Sequence, residues 1–251
     1  MISVTILTKN SRKYLEKVLD SVRQFDEVLL FDNGSTDDTM EIAKRYPNVR
    51  IVKGLFEGFG PTHNKASGLA KHDWILSIDS DEVVTQEMSK MILEAKLDPQ
   101  CVYSFPRHNY FNGKFIRWCG WYPDRVIRLY NRKSTQFTDA QVHESVSTKG
   151  LKHVEWKVPI NHYSYANIAD FLPKMQSYSS LFADQYCGKK SSSPCKAILH
   201  GFFAFFKSYI LKRGFLGGYE GYVISAYNGH TAFYKYLKLY EANQHLKKLN
   251  K

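Results

Sequence analysis

The chain has 251 residues, 43% of them apolar and 24% charged. That suits one large domain or a catalytic domain with a small appendage, and it excludes a multi-module assembly, a disordered chain and a fibrous repeat. The formal charge of +11 is unevenly placed: residues 1–165 carry 23 basic and 20 acidic side chains, whereas residues 166–251 carry 12 basic, 4 acidic and 17 of the 37 aromatic residues. A basic, aromatic last third calls for an anionic partner or surface, with a membrane and nucleic acid as the two main candidates.

Ile2 to Leu7 is a short apolar run of buried-strand character, too short and without the basic flank of a secretion signal. Ser11 is expected to cap a helix in which Tyr14, Leu15, Val18, Leu19 and Val22 recur at helical spacing. Glu27 to Phe31 reads as the next strand, ending at the turn Asp32-Asn33-Gly34-Ser35. A helix is predicted over Thr36 to Tyr46 with Asp37 and Asp38 in its first turn. Val49 to Val52 is a third strand, Pro61 to Ala70 a helix, and Trp74 to Ile78 a fourth strand running into Asp79-Ser80-Asp81-Glu82. This alternation predicts right-handed crossovers and a mainly parallel sheet, with the polar clusters after Leu7, Phe31 and Ile78 meeting beyond the carboxyl ends of the strands.

After a helix predicted over Gln86 to Leu97 the character changes. Cys101 to Arg107 and Lys114 to Trp118 flank Asn112-Gly113 as in a hairpin, and Val126 to Tyr130 and Val158 to Ile160 supply further strands of a mixed or antiparallel half. From Ala166 the pattern is helical. Phe171, Met175, Tyr178 and Phe182 lie on one face, Lys189 to Pro194 breaks the run, and Ala197 to Leu211 follows. The glycines at 214, 217, 218 and 221 mark a loop or a tight helix contact before a last helix from Tyr222 to Leu246. Ala197 to Leu211 is interrupted by His200 and Lys207 and is too short to span a bilayer. Its phenylalanines suit either an interfacial helix or core packing. Cys101, Cys119, Cys187 and Cys195 form no C-x-x-C pair, which points to a reducing compartment and no structural metal.

Asp79-Ser80-Asp81 at a strand end is the sharpest chemical feature. Two carboxylates converging there can hold Mg²⁺ or Mn²⁺ and leave positions open for diphosphate oxygens; the alternative is a solvated acidic turn capping the next helix. Asp32 to Asp37 and Thr8-Lys9-Asn10 end neighbouring strands, so three polar clusters line one edge.

Val4 to Asn10, the Asp32 to Asp37 turn, Gly60 to Asn64 and Ile78 to Asp81 together resemble family 2 glycosyltransferases of the GT-A fold. Arg128-Leu129-Tyr130, Val142-His143-Glu144 and Arg213 to Gly218 narrow the resemblance to the lipopolysaccharide-core β-1,4-glucosyltransferase-like branch. The resemblance implies an α/β fold: a GT-A catalytic domain over 1–165, with a donor nucleotide half at 1–100 and an acceptor half at 101–165, followed by a helical, basic, aromatic region at 166–251. It implies that Thr8 and Asp32 hold uracil and ribose, that Asp79 lies near the ribose, that Asn64 and Arg128 contribute to nucleotide-sugar binding, and that Asp81 is the metal ligand, with His162 a candidate to complete the coordination. Lys9 replaces a common aromatic residue and Asn33 a second Asp, and Gly217-Gly218 stand where an acidic residue often occurs.

In such inverting enzymes one carboxylate deprotonates the acceptor. Glu144 is the candidate base and Asp124 the reserve. Arg125 and Arg128 suit either a diphosphate clamp or a structural ion pair. The implied function is metal-dependent, inverting transfer of a hexose, with glucose from UDP-glucose favoured, to a glycolipid acceptor in the lipopolysaccharide inner core. It would work peripherally on the cytoplasmic face of the bacterial inner membrane, with Mg²⁺ or Mn²⁺ as cofactor, the membrane surface as partner and no nucleic acid. Transfer to another cell-surface polysaccharide, a basic nucleic-acid-binding protein and a glycosidase with paired carboxylates are the other readings.

Overall fold

The structure, a computed structural model, describes residues 1–139 and 145–249. It divides into two compact units, one of Met1–His108 and Asp124–Tyr163, the other of Asn109–Pro123 and Ser164–Lys251.

The first unit opens with β1 (Ile2–Thr8), α1 (Arg12–Ser21), β2 (Glu27–Asp32), α2 (Thr39–Ala43), β3 (Val49–Lys53), α3 (Phe59–Leu69) and β4 (Trp74–Asp79). These four strands lie parallel in the order β3-β2-β1-β4, as the short apolar runs separated by helices predict. Val4 and Ile6 face one core layer with Leu15, Val18 and Leu19 of α1, whereas Leu29, Phe31 and Ile75 face a second layer with Ala66. Each fully buried Leu, Ile or Phe of this kind contributes about 1.5–3 kcal/mol, so the sheet is fixed from both sides. Beyond β4 come β5 (Glu82–Val84), α4 (Gln86–Glu94), β6 (Cys101–Phe111), β8 (Arg125–Asn131), β9 (Lys152–Glu155) and β10 (Ile160–Tyr165), with β7 (Lys114–Phe115) paired to the far end of β6. β8 is antiparallel to β4 and β6, and β10 antiparallel to β5, whereas β9 runs parallel to β6. The half is mixed, as expected.

Several boundaries differ from expectation, each for a local reason. α2 is only Thr39–Ala43 because the Asp37 carboxylate accepts from the Thr39 amide and hydroxyl, holding the preceding turn out of the helix. Ser11 occupies the position before α1, and its carbonyl accepts from Tyr14 and Leu15, but its side chain makes no cap and bonds the Ser80 hydroxyl instead. The strand expected at Lys114–Trp118 stops at Phe115, before Cys119 takes a left-handed φ of 61°. The strand expected to end at Ile160 begins there: Ile160–His162 pair with β5, and the strand runs on to Tyr165 beside β6.

The second unit holds α5 (Phe171–Tyr186), α6 (Pro194–Phe206) continuing as a π turn over Lys207–Leu211, a 3-10 turn at Gly214–Gly217, and α7 (Gly218–Leu249). The last helix starts earlier than predicted. Gly221 packs on Gly214 so closely that a Cβ there would lie 1.9 Å from the Gly214 carbonyl oxygen, so the glycine cluster is a tight helix contact. Phe111, Phe171 and Ile224 centre the core of this unit, with Tyr165 stacked on Phe171 at 3.9 Å.

Candidate active site

Strand register sets out the site. Thr8 pairs with Asp32, and Leu7 with Asp79, so the ends of β1, β2 and β4 finish abreast. The loops beyond them are tied together: the Asn10 carboxamide accepts the Thr36 N–H at 2.8 Å, the Ser11 N–H donates to Thr39 Oγ1 at 2.8 Å, and the Ser11 hydroxyl meets that of Ser80 at 2.9 Å. Asp32 is buried and accepts the Ser35 N–H at 2.9 Å. The Thr8 carbonyl accepts the Asn33 N–H at 2.9 Å. Thr8 Oγ1 and Asn33 Oδ1 are both buried and have no protein partner, a costly arrangement that a ligand's polar edge would relieve.

Asp79, Asp81 and His162 bring one ligand atom each to within 4.8 Å of one another. Two elements build this trio: the end of β4 with its turn, and β10, whose His162 is placed opposite Glu82 by the β5 pairing while the Tyr163 N–H donates to the Asp81 carbonyl at 3.0 Å. His162 Nε2 lies 3.4 Å from Asp81 Oδ1. The side chains of Asp79 and Asp81 are about one third exposed, at 36% and 31%, so the cluster opens to solvent. Two carboxylates and an imidazole match Mn²⁺ and, through the oxygens, Mg²⁺, so the residues present fit the cation that the motif implies.

Behind the trio lies a buried ion network. Arg128 Nη2 contacts Asp79 Oδ2 and Glu82 Oε1, each at 2.5 Å, and Glu82 Oε2 accepts the Asp79 N–H at 3.1 Å. Arg107 reaches Glu82 at 3.5 Å and Asp124 at 2.8 Å. Burial alone would raise the Asp79 carboxyl, but the Arg128 guanidinium holds it far below the usual range. Glu82 is fully enclosed and its carboxyl is raised by that burial despite Arg128. His63 is buried under Phe137 at a ring distance of 4.4 Å, with Nδ1 3.1 Å from the Ser77 hydroxyl. Burial lowers its pKa to about 4, so the ring is neutral at pH 7.

Of the residues singled out in the sequence, Thr8, Asp32, Asp79, Asp81 and His162 come to the same edge. Arg128 is there as the buried ion pair, with Nη2 committed to both carboxylates. Asn64 spends both ends of its amide on the Phe137 backbone, donating to its carbonyl at 3.0 Å and accepting its N–H at 2.8 Å. Arg125 is fastened to Ser104, Trp156 and Glu155. Glu144, with Val142 and His143, lies outside the described residues. Two buried titratable groups beside this edge, Glu82 and His63, were not singled out in the sequence. Glu82 sits in an acidic run that reads as solvated, and its arginine partner is 46 residues away. His63 had a usable signal, standing three and seven residues before the buried Ala66 and Ala70 on one helix face.

The family described as Glycosyl transferase family 2 matches residues 3–153, and the chain belongs to it. Across its length the chain is also similar to an uncharacterised glycosyltransferase of Rickettsia typhi, with 31% identity over 96% of this chain and 87% of the relative. It is 24% identical to the lipopolysaccharide core biosynthesis glycosyltransferase LpsC of Rhizobium meliloti, over 73% of this chain and 71% of that one. Among solved structures it aligns with S. aureus TarS in complex with UDP-GlcNAc at 14% identity and a TM-score of 0.49, over 98% of this chain and 91% of that chain. The protein is a glycosyltransferase with a GT-A type α/β fold.

Proposed function

We propose that the enzyme transfers a hexose from a UDP-sugar, UDP-glucose first, to an anionic glycolipid of the lipopolysaccharide inner core, with inversion and with the help of Mg²⁺ or Mn²⁺. The observation that carries this reading is the row of strand ends, where Thr8 Oγ1 and Asn33 Oδ1 are orphaned beside Asp32 and the Asp79–Asp81–His162 trio closes the same edge. Thr8 and Asn33 would meet the base edge and Asp32 a ribose hydroxyl. Asp79, Asp81 and His162 would hold the cation, which supplies positive charge to the diphosphate oxygens. Arg128 and Glu82 orient Asp79 from behind. Asn64 acts at one remove, by fixing the backbone of Phe137, seven residues before Glu144 in the chain.

In the transfer the acceptor hydroxyl attacks the anomeric carbon from the face opposite the diphosphate. Its proton passes to the Glu144 carboxylate while the bond from the anomeric carbon to the diphosphate oxygen breaks, releasing the nucleoside diphosphate. The acceptor assignment is supported by the name of the Rhizobium relative and by the basic surplus of residues 166–251, which suits a phosphorylated glycolipid at the cytoplasmic face of the inner membrane. Another cell-surface polysaccharide is the other acceptor the test must separate.

The test is a panel of nucleotide sugars offered to the purified protein with core glycolipid, with and without divalent metal. Turnover of UDP-glucose that disappears on chelation is the expected result. Signals from GDP- or CMP-sugars alone would reject the branch. Glu144→Gln is expected to lower kcat by about 10²–10⁴ with donor affinity unchanged; undiminished turnover would move the base to Asp124.

A further inference from the structure

Helix α6 is built inside out for a surface facing water. Its small residues Ala197 and Gly201 are the buried ones, and against α7 the backbones nearly touch: a Cβ on Gly201 would lie 3.1 Å from the Gly229 carbonyl oxygen, and one on Gly229 3.1 Å from that of Gly201. The large apolar residues point the other way, with Phe202 70%, Leu199 67%, Ile198 59% and Phe203 56% exposed. A helix between a core and water shows the reverse arrangement, whereas small residues at the helix contact with bulky ones outward is how helices pack in lipid. The exposed strip continues through Ile210 and Leu211 of the π turn to Phe215 and Leu216. Beside it an open groove of about 520 Å³ is lined by Ile198, Phe202, Phe205, Tyr222 and Phe233 over the Gly201–Gly229 floor.

Charge distinguishes the occupant. Residues 185–219 contain six basic residues and no Asp or Glu. Lys207, Lys212 and Lys235 line one cavity of about 420 Å³ between α6 and α7, and no carboxylate is among its lining residues. A second copy of the chain would cover the phenylalanines but bring like charges together; an anionic bilayer covers both. No helix among the described residues is long and apolar enough to cross a membrane, so the face would lie on the bilayer rather than through it.

We propose that the α6 face docks on a leaflet containing anionic phospholipid, with acyl chains against the Phe202–Phe203 strip and its groove and the lysines among the phosphates. This deepens the glycolipid-acceptor reading, on which its purpose rests. The test is flotation of the full chain with vesicles of phosphatidylcholine alone or with about one third phosphatidylglycerol, at roughly 0.15 M salt. The wild type should float with the anionic vesicles. F202S/F203S should partition about tenfold less or weaker still, with its thermal unfolding little changed because both residues are more than half exposed. K207Q/K212Q should lose the preference for phosphatidylglycerol. Wild type left in the soluble fraction, undiminished flotation of F202S/F203S, or a lipid-free dimer that F202S/F203S converts to monomer would overturn the proposal. Transfer to a soluble, lipid-free core oligosaccharide is measured alongside. Failed flotation with transfer intact overturns the docking alone, and intact flotation without transfer overturns the acceptor reading alone.

Discussion

Two buried glutamates stand at opposite ends of the same sheet and behave in opposite ways. At the amino end of β2, Glu27 receives the Ser3 hydroxyl and the Lys71 N–H at 2.6 Å each, and the Arg50 guanidinium at 2.9 and 2.8 Å. Burial pushes its carboxyl up, but these donors more than offset it and the pKa falls below 4.5. At the carboxyl end, Glu82 shares Arg128 with Asp79, and its pKa is raised by burial. The difference lies in donors per carboxylate. Four hydrogen bonds make Glu27 a structural pin, whereas the other end crowds Asp79, Asp81 and Glu82 around two arginines and a histidine, an arrangement the proposed cation would complete.

The contrast can be broken in four ways, from the largest effect down. Arg128→Met leaves the buried Glu82 beside the partly exposed Asp79 without the guanidinium they share and should cost about 3–5 kcal/mol in denaturant unfolding; a loss under about 1 kcal/mol would mean that the carboxyl end is as well served as the amino end. Asp81→Ala should lower transfer by roughly 10²–10³ and abolish Mn²⁺ binding while the unfolding midpoint stays in place, and full activity in that variant would sink the assignment of the trio. Glu27→Gln should do the converse, losing about 2 kcal/mol of stability at pH 7 with turnover per folded molecule unchanged. Because the folded pKa of Glu27 is depressed, its contribution is present above about pH 4.5 and lost as the pH falls through the lower folded value, so the variant's acid limb should be shallower. His63 works through the same linkage. Its folded pKa of about 4 lies below the ordinary 6.5, so the unfolded chain binds the extra proton and stability declines as the pH drops from about 6.5 towards 4. His63→Gln should flatten that stretch by on the order of 1–2 kcal/mol at pH 5, and an unchanged slope would place the titrating group elsewhere.

The parallel half was legible because its signals are local. Ile2 to Leu7 and Trp74 to Ile78 are short apolar runs that end in turn residues, and the turns hold the carboxylates. What escaped depends on distant partners. Nothing near Glu82 announces that Arg128 will enclose it, nor that Ile160–His162 will start a strand by pairing with Glu82–Val84. Asn64 read as a ligand contact because it lies in a motif; that one N–H and the oxygen of its amide go to the Phe137 backbone, 73 residues further on, is visible only in the fold. The polar Thr8 and Asn33 were visible as residue types, but that each keeps a buried oxygen without a partner emerges only once β1 and β2 are set side by side.

The antiparallel match of His162 with Glu82 makes the imidazole of the trio a matter of counting. Side chains along a strand alternate between faces, so sliding β10 by one residue would turn His162 away and present Asn161 or Tyr163 to the two aspartates. Such a one-residue slip would leave both carboxylates untouched and still exchange the imidazole for an amide or a phenol. Under the proposed cation role, the set of donor atoms offered to a metal would therefore depend on the register of this strand as much as on the identity of any residue at the site.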